Sequence, residues 1–347
     1  MRKAFKEELD RQHFPLELGL QSDLKIQITE GPSLVYLIAT VSVEKNEMIA
    51  SVSIAKGQFS ATERTGTLPR LERQLLWQQP EAILDVAQSE SPSGNPELLL
   101  VLGKTSLFLY RRNEEAWLLK DSSTLPRLKP QLRDVRGEIH LDDHFFQFHL
   151  PGVECDGDAW QKLAFECEER EGIWRSELDP MLPFSLDPGR NFFAVDPHYI
   201  GPKKFPLAGF FSAARSYDSR HDYGYQMTLA GADGHTYIYP AEIAENLTSE
   251  SLERVPVEWG SDLVSLSVDC RDGFLVLATG SRDYSSRDTL QGFEFDSKAV
   301  LPVTSVTEFP GPILALRAEK NSAAIVIAFN LTTGNYEAYR VTMACDD

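Results

Sequence analysis

Apolar and polar positions alternate along most of the chain, and this period of two predicts β-strands. The segment Lys3–Gln12 differs, since it is expected to form a short helix that ends near Pro15. Alternating runs at Leu34–Val41 and Met48–Ile54 are separated by polar residues and predict a hairpin. We therefore expect a small α+β segment over residues 1–60, followed by a linker over Thr62–Leu71.

From Arg73 to the end of the chain, strand-length apolar runs recur in groups on the order of 50 residues apart. The groups span Ile83–Leu119, Gly137–Glu168, Asn191–Tyr239, Leu263–Phe309 and Ile313–Met343. A four-stranded sheet cannot bury both of its faces alone and must stack on neighbouring sheets. The pattern predicts a mainly β protein with a β-propeller over residues 73–347.

The last group contains three runs where the others contain four. A closed ring would take its fourth strand from Arg73–Trp77, paired with Tyr336–Met343, which predicts five blades. Closure would also hide two sheet edges that otherwise invite aggregation. Six blades result if part of residues 24–57 forms one, and the alternative architecture is a β-sandwich with a small domain.

The first group carries a recognisable succession of strands. Asp85-Val-Ala is followed, after a loop, by Glu97-Leu-Leu-Leu-Val-Leu-Gly-Lys-Thr-Ser-Leu-Phe-Leu-Tyr-Arg111. This order resembles the repeat of FG-GAP/VCBS-type bacterial β-propeller proteins, closely over about one blade and loosely over the other four. The resemblance implies a propeller fold. It does not imply calcium, because the acidic calcium loop of that family is replaced here by Gln88-Ser-Glu-Ser-Pro-Ser-Gly-Asn-Pro96.

The chain is acidic, with 52 Asp and Glu residues against 34 Lys and Arg residues and a formal charge of -18. Such a field repels phosphate backbones and anionic lipid, so we expect no nucleic acid partner and no membrane insertion. The longest apolar runs have the length of strands, shorter than the roughly 20 residues of a membrane-spanning helix. No glycine-rich nucleotide loop occurs, and we predict no cofactor.

None of the four cysteines belongs to a Cys-x-x-Cys pair, which argues against zinc. Cys155 and Cys167 flank a predicted hairpin with its turn at Asp156–Asp158, where a cross-strand disulfide is easily made. Cys270 and Cys345 end predicted strands and form a second candidate pair. Disulfides indicate a periplasmic or extracellular location. The alternative is four reduced, buried thiols, and the charged N-terminus fits either a cytoplasmic protein or one whose signal peptide was removed.

Two motifs invite a metal-binding interpretation. Asp156-Gly-Asp158 resembles part of a calcium loop, but calcium needs roughly six to eight oxygen ligands, so we predict a solvated turn. His140, His144 and His149 invite a zinc site. We expect a turn at Asp142–Asp143, which would place His144 on one sheet face and the other two histidines on the opposite face. The sequence therefore predicts no metal.

Two classes of function remain. The favoured one is a non-enzymatic binding or scaffold module that recognises a protein or glycan. The alternative is a glycoside-active enzyme with paired carboxylates at the propeller axis. Its candidate acids near strand ends are Asp85, Asp196, Asp269 and Glu294. We assign none of them a catalytic role.

The most distinctive sequence feature is a pair of related loops, Arg215–Gly224 and Ser281–Asp288. Both are predicted between the second and third strands of adjacent blades, which would place them on one rim. Their aromatic and arginine side chains suit adaptable, hydrogen-bonding contacts. The predicted ligand contacts are Tyr217, Arg220, Tyr223, Arg282, Tyr284 and Arg287. The alternative is that arginine and aspartate merely pair within each loop to hold it folded.

Overall fold

The structure is a computed structural model. It describes residues 22–30, 34–43, 46–55, 69–90, 96–113, 116–128, 135–169, 184–186, 193–195, 209–217, 225–240, 253–255, 257–268, 274–280, 287–296, 299–319 and 322–344. The chain divides into two compact units, the first with residues 1–66 and 256–258 and the second with residues 67–255 and 259–347. Among the described residues, no helix is long and apolar enough to cross a membrane.

The described part of the first unit is one antiparallel sheet in the order β1-β2-β3. Its strands are β1 (Ser22–Glu30), β2 (Leu34–Val43) and β3 (Asn46–Ala55). The helix predicted at Lys3–Gln12 lies outside the described residues, so the α+β character of this segment is not supported. The three strands form a sheet of their own in the first unit, so the five blades described below are counted without them.

The described part of the second unit contains five antiparallel sheets, which are the blades. Blade 1 consists of β5 (Ile83–Glu90), β6 (Pro96–Gly103), β7 (Ser106–Asn113) and β8 (Ala116–Thr124). Blade 2 consists of β9 (Glu138–Asp142), β10 (Phe145–Leu150), β11 (Val153–Asp158) and β12 (Ala164–Glu169). Blade 3 consists of β13 (Phe184–Leu186), β14 (Phe193–Val195), β15 (Phe210–Tyr217), β16 (Tyr225–Gly231), β17 (Thr236–Pro240) and β18 (Glu253–Val255). Blade 4 consists of β19 (Trp259–Ser267), β20 (Phe274–Gly280), β21 (Thr289–Asp296), β22 (Ala299–Pro302) and β23 (Thr307–Glu308).

Blade 5 closes the ring with a strand from the start of the unit. It consists of β24 (Ile313–Glu319), β25 (Ala323–Phe329), β26 (Tyr336–Met343) and β4 (Leu71–Gln79). β4 pairs antiparallel with β26, with Leu71 opposite Met343 and Gln79 opposite Tyr336. This pairing confirms the predicted closure and the five-bladed propeller. The closing strand is longer than predicted. It covers Leu71–Gln79, whereas the prediction was Arg73–Trp77 with Leu71 in the linker.

Apolar side chains from the strands of neighbouring blades fill the space between those blades. The run Leu98–Leu102 in β6 shows how this works, because it is buried on both faces of its sheet. Leu100 packs with Phe148 of blade 2, whereas Leu99 packs with Ile325 of blade 5. A continuous apolar run is therefore the signature of a strand covered on both sides.

Two turns of blade 2 differ from the predicted register. Asp142 lies opposite Phe145, so the β9–β10 turn is formed by residues 143–144. Asp143 has a φ of 55°, a left-handed conformation that aspartate tolerates better than most residues. In the next hairpin, residues 156–158 belong to β11, and the turn is formed by residues 159–163. The predicted turn at Asp156–Asp158 is therefore wrong, because small and acidic residues are accepted in this half-buried third strand of the blade.

Candidate functional site

Most of the loop residues predicted as ligand contacts cannot be placed. Four lie outside the described residues: Arg220, Tyr223, Arg282 and Tyr284. Tyr217 ends β15, and Arg287 is an exposed residue shortly before β21. Their role as contacts stays a prediction.

The strand ends that carry these loops lie at opposite ends of blades 3 and 4, so the shared rim is wrong. Leu263 N donates to Ser212 Oγ at 2.8 Å. Ser265 Oγ donates to the Arg215 carbonyl at 2.9 Å, so β15 and β19 run side by side in the same direction. The loop after β15 leaves where β19 ends, but the loop after β20 leaves where β19 begins. The sequence analysis took β14 as the first strand of blade 3 and missed β18. It therefore counted β15 as the second strand, although β15 is the strand that lies beside β19.

At the propeller axis, an ion pair joins blade 5 to blade 1. Arg317 Nε donates to Asp85 Oδ2 at 2.7 Å, and Arg317 Nη2 donates to the Val86 carbonyl at 2.8 Å. Asp85 also accepts the backbone N–H groups of Val86 at 2.8 Å and Ile139 at 2.9 Å. Burial raises the pKa of Asp85, although Arg317 and these backbone donors oppose the increase.

A second ion pair connects blades 2, 3 and 4. The guanidinium of Arg136, just before β9, contacts Asp262 of β19 through both nitrogens, at 2.9 and 3.2 Å. It also donates to the carbonyl of Phe211 in β15 at 3.3 Å and lies 5.5 Å from the centre of that ring. Arg136 therefore ties three consecutive blades together through one side chain.

The two ion pairs line a cavity of about 370 Å³ between the inner strands. Glycosidases need one carboxyl group as acid and a second as base or nucleophile. Here the oxygens of Asp85 and Asp262 already accept arginine, serine or backbone donors that hold blades together. Of the other predicted acids, Glu294 lies on β21, away from the inner strand, and Asp196 and Asp269 lie outside the described residues.

A wider cavity of about 830 Å³ opens where the inner strands of blades 1, 2 and 5 end. Its lining contains both polar and apolar side chains, and several of the polar ones are paired with each other. Arg340 donates to both oxygens of Glu319, at 2.7 and 3.0 Å, and Gln147 donates to Asp156 at 2.9 Å. The ring of Phe145 also belongs to this lining.

Beside this cavity, blade 2 exposes an aromatic platform, by which we mean His144, Phe145 and Trp160. The His144 ring centre lies 4.2 Å from that of Phe145 and 5.0 Å from that of Trp160. Phe145 is 60% exposed and Trp160 is 57% exposed, unusually high values for large aromatic residues. His144 lies between two carboxylates, with Nδ1 2.7 Å from Asp143 and Nε2 3.7 Å from Asp158.

The turn that carries Trp160 is fixed to the neighbouring blade. Arg111 of β7 donates to the carbonyl of Ala159 at 3.3 Å and also to the carbonyl of Trp160. Asp121 of β8 accepts the backbone N–H of Leu163 at 2.9 Å. These bonds hold both ends of the turn against blade 1, while the indole itself remains in solvent.

Blade 2 supports the same turn from within. The N–H of Ala159 donates to the His144 carbonyl at 2.9 Å, which joins the two turns of the platform. Cys155 and Cys167 lie directly opposite each other on β11 and β12 and form a disulfide, which confirms the predicted bond. Cys270 and Cys345 lie outside the described residues. The platform therefore stands on a hairpin that is closed covalently.

The three histidines that were considered as a zinc site, His140, His144 and His149, lie in different positions on blade 2. His140 lies opposite Gln147 and His149 opposite Glu138, so these histidines share a sheet face as predicted. His144 is in the turn instead, because the register is shifted by one residue. In the part of the chain that the structure describes, no group of three or more His, Cys, Asp or Glu side chains is placed to hold a metal ion.

No protein-family model matches the chain, and no curated protein sequence matches it. Among solved structures, the chain is similar to the Dos1 propeller at 9% identity, with 91% of this chain and 92% of that chain covered and a TM-score of 0.36. It is similar to BBS1N in complex with ARL6DN at 8% identity, covering 90% and 91%, with a TM-score of 0.37. A putative oxidoreductase (glucose dehydrogenase) from Thermus thermophilus is similar at 11% identity, covering 92% and 100%, with a TM-score of 0.29. The propeller architecture of this chain rests on its own five sheets and their closure.

Proposed function

We propose that this chain is a non-enzymatic binding module or scaffold that recognises a protein or a glycan. The observation that carries the proposal is the aromatic platform on blade 2. Trp160 and Phe145 are largely exposed, yet the backbone beneath them is tied by Arg111, Asp121 and the Cys155–Cys167 disulfide. Rigid aromatic side chains offer large contact areas at a low entropic cost.

The glycoside-active enzyme is the weaker alternative. Its support would be an acid with a raised pKa at the axis, and burial does raise the pKa of Asp85. However, a catalytic acid must reach the substrate, and Asp85 is 2% exposed and bonded to Arg317 and two backbone N–H groups. These bonds favour a role for Asp85 in joining blades.

Within the same proposal, the chain works outside the cytoplasm, in the periplasm or the extracellular space, and is related to FG-GAP/VCBS-type propellers. The disulfide supports the location, since disulfides persist in oxidising compartments. The Asp85-containing strand and the apolar strand after it support the relationship. Mass spectrometry of the protein secreted by its native host, under non-reducing conditions, tests both the location and the bond.

The predicted loop contacts become two separate candidate surfaces, because their strands end on opposite sides of the propeller. One would carry Tyr217, Arg220 and Tyr223, and the other Arg282, Tyr284 and Arg287. A variant in which the three loop tyrosines are replaced by alanine tests them. If it binds like the wild type, the loops are not the working surface.

An array of immobilised glycans and peptides, probed with the whole chain, tests the proposed function. We expect Trp160→Ala to abolish the signals and Leu119→Ala to leave them unchanged. Leu119 is a matched control, since it is 56% exposed on blade 1. Equal profiles for both variants would place the site elsewhere. Release of reducing sugar from the arrayed glycans would favour the enzyme.

A further inference from the structure

The surroundings of the aromatic platform indicate what kind of group it receives. On the antiparallel sheet of blade 2, Phe145 lies directly between two aspartates, with Asp142 opposite on one side and Asp158 on the other. Directly opposite residues have Cβ atoms roughly 5 Å apart, so the carboxylates flank the ring. Asp143 adds a third carboxylate at the neighbouring turn, and its side chain is 77% exposed.

The exposed indole lies next to these charges. The backbone N–H of Trp160 donates to Asp158 Oδ1 at 2.6 Å, so this carboxylate lies close to the point where the Trp160 side chain leaves the backbone. The faces of tryptophan and phenylalanine attract cations, and Trp is the strongest of the aromatic residues in this respect. Because the aromatic faces and the carboxylates both attract cations, this surface favours a positively charged ligand.

We propose that the aromatic platform binds a lysine- or arginine-bearing segment of a partner protein, with the cation over Trp160 and near the carboxylates of Asp158 and Asp143. This inference rests on the proposed function and names its partner. Charge complementarity supports it locally, through the aspartates, and globally, through the formal charge of -18. The overall field would accelerate the approach of such a segment, and the platform would define where it docks.

The site is built to act without rearrangement. The Arg111 and Asp121 bonds and the disulfide fix the turn before a partner arrives, so little conformational entropy is lost on binding. A flexible basic segment, which is the usual form of such sequences at protein ends, would bear the ordering cost instead. Binding should therefore be weakened by salt and depend on the indole.

The test uses the whole chain and two soluble probes, a lysine–glycine repeat peptide and a neutral oligosaccharide of glucose. Calorimetric affinities are measured at about 50 mM and about 300 mM NaCl, salt concentrations that bracket the physiological screening length. The same peptide with every lysine acetylated controls for charge. Variants are Trp160→Ala, Asp143→Asn and the control Leu119→Ala. Asparagine tolerates the left-handed φ of residue 143, so Asp143→Asn removes charge without straining the turn.

We expect the lysine peptide to bind and the acetylated peptide to fail. Trp160→Ala should weaken binding by about fivefold or more, and Asp143→Asn by about twofold at low salt, while Leu119→Ala has no effect. Equal affinity of Trp160→Ala and Leu119→Ala for the lysine peptide would overturn the inference, since binding would then be a diffuse charge effect. Trp160-dependent binding of the oligosaccharide alone would overturn the partner class and leave the proposed function standing. Binding of neither probe, with an empty array, would overturn both.

Discussion

Replacing Arg317 by methionine should test whether the axial ion pairs hold the blades together. Methionine keeps much of the length of the side chain and removes the charge. The variant loses the 2.7 Å bond to Asp85 and the 2.8 Å bond to the Val86 carbonyl, both between blades 5 and 1. Asp85 is then left in the interior with backbone donors alone.

Removing one partner of a buried ion pair costs about 3–5 kcal/mol, because the remaining charge is buried without compensation. Asp85 keeps its bonds to Val86 N and Ile139 N, so we expect about 3 kcal/mol, at the lower end. Burial raises the pKa of Asp85, and loss of Arg317 should raise it further. A folded-state pKa above the unfolded value means that stability falls as the pH rises through it. The destabilisation should therefore be larger at about pH 7 than at about pH 4.5.

Urea denaturation, with the free energy of unfolding extrapolated from a constant m-value, measures these effects. Arg340→Met is the matched control, since it removes a pair with Glu319 that is more accessible to solvent. We expect the control to cost about 1 kcal/mol or less. Adding Asp85→Asn to the Arg317→Met variant should recover about 1 kcal/mol or more, because no buried charge remains. Equal costs for both arginine variants, or a loss that does not change with pH, would refute the reasoning.

Three further predictions concern blade 2 and blade 3. Replacing both Cys155 and Cys167 by alanine should lower the free energy of unfolding by about 3 kcal/mol in urea, and no effect would mean that the bond does not constrain the unfolded chain. Gly157→Ala should cost about 1–3 kcal/mol, because the added Cβ would lie 2.2 Å from a phenylalanine ring and 2.6 Å from a backbone oxygen; a stable variant with an unchanged urea midpoint would contradict this close packing. Tyr237 donates to Asp233 at 2.5 Å, and burial with this bond raises the pKa of Tyr237 to about 12. Stabilisation from this bond should therefore be complete below about pH 10 and be lost as the pH rises from there through about 12. In a ¹³C-tyrosine NMR titration, Asp233→Asn should move the pKa of Tyr237 towards about 10.

The sequence was sufficient for the closure of the ring and for the disulfide. A missing strand in the last group identifies β4, and Cys155 and Cys167 are separated by a spacing that one hairpin spans. The strands of blade 3 were assigned incorrectly from the sequence. The reason is that β13, β14 and β18 have three residues each, and β18 has no strong apolar pattern. Short edge strands are defined by their pairing partners, which a single sequence does not show.

The sites depended on distant contacts and were missed. The arginines at the axis, Arg136 and Arg317, pair with residues 126 and 232 positions away, so no local motif marks them. The sequence analysis did not single out Trp160. Its proximity to His144 follows from the register of blade 2, which the sequence analysis placed one residue off at the first turn. One available signal was the presence of a tryptophan among acidic and polar residues, where no core would require it.

Hydrogen–deuterium exchange of the whole chain, with and without the lysine–glycine peptide at saturation, tests most directly where this propeller works. The account predicts that added protection is confined to the peptides covering residues 143–147 and 156–163, around the aromatic platform. Protection at the axial strands, around Asp85 and Arg317, or at the strand ends next to Tyr217 and Arg287, would contradict it.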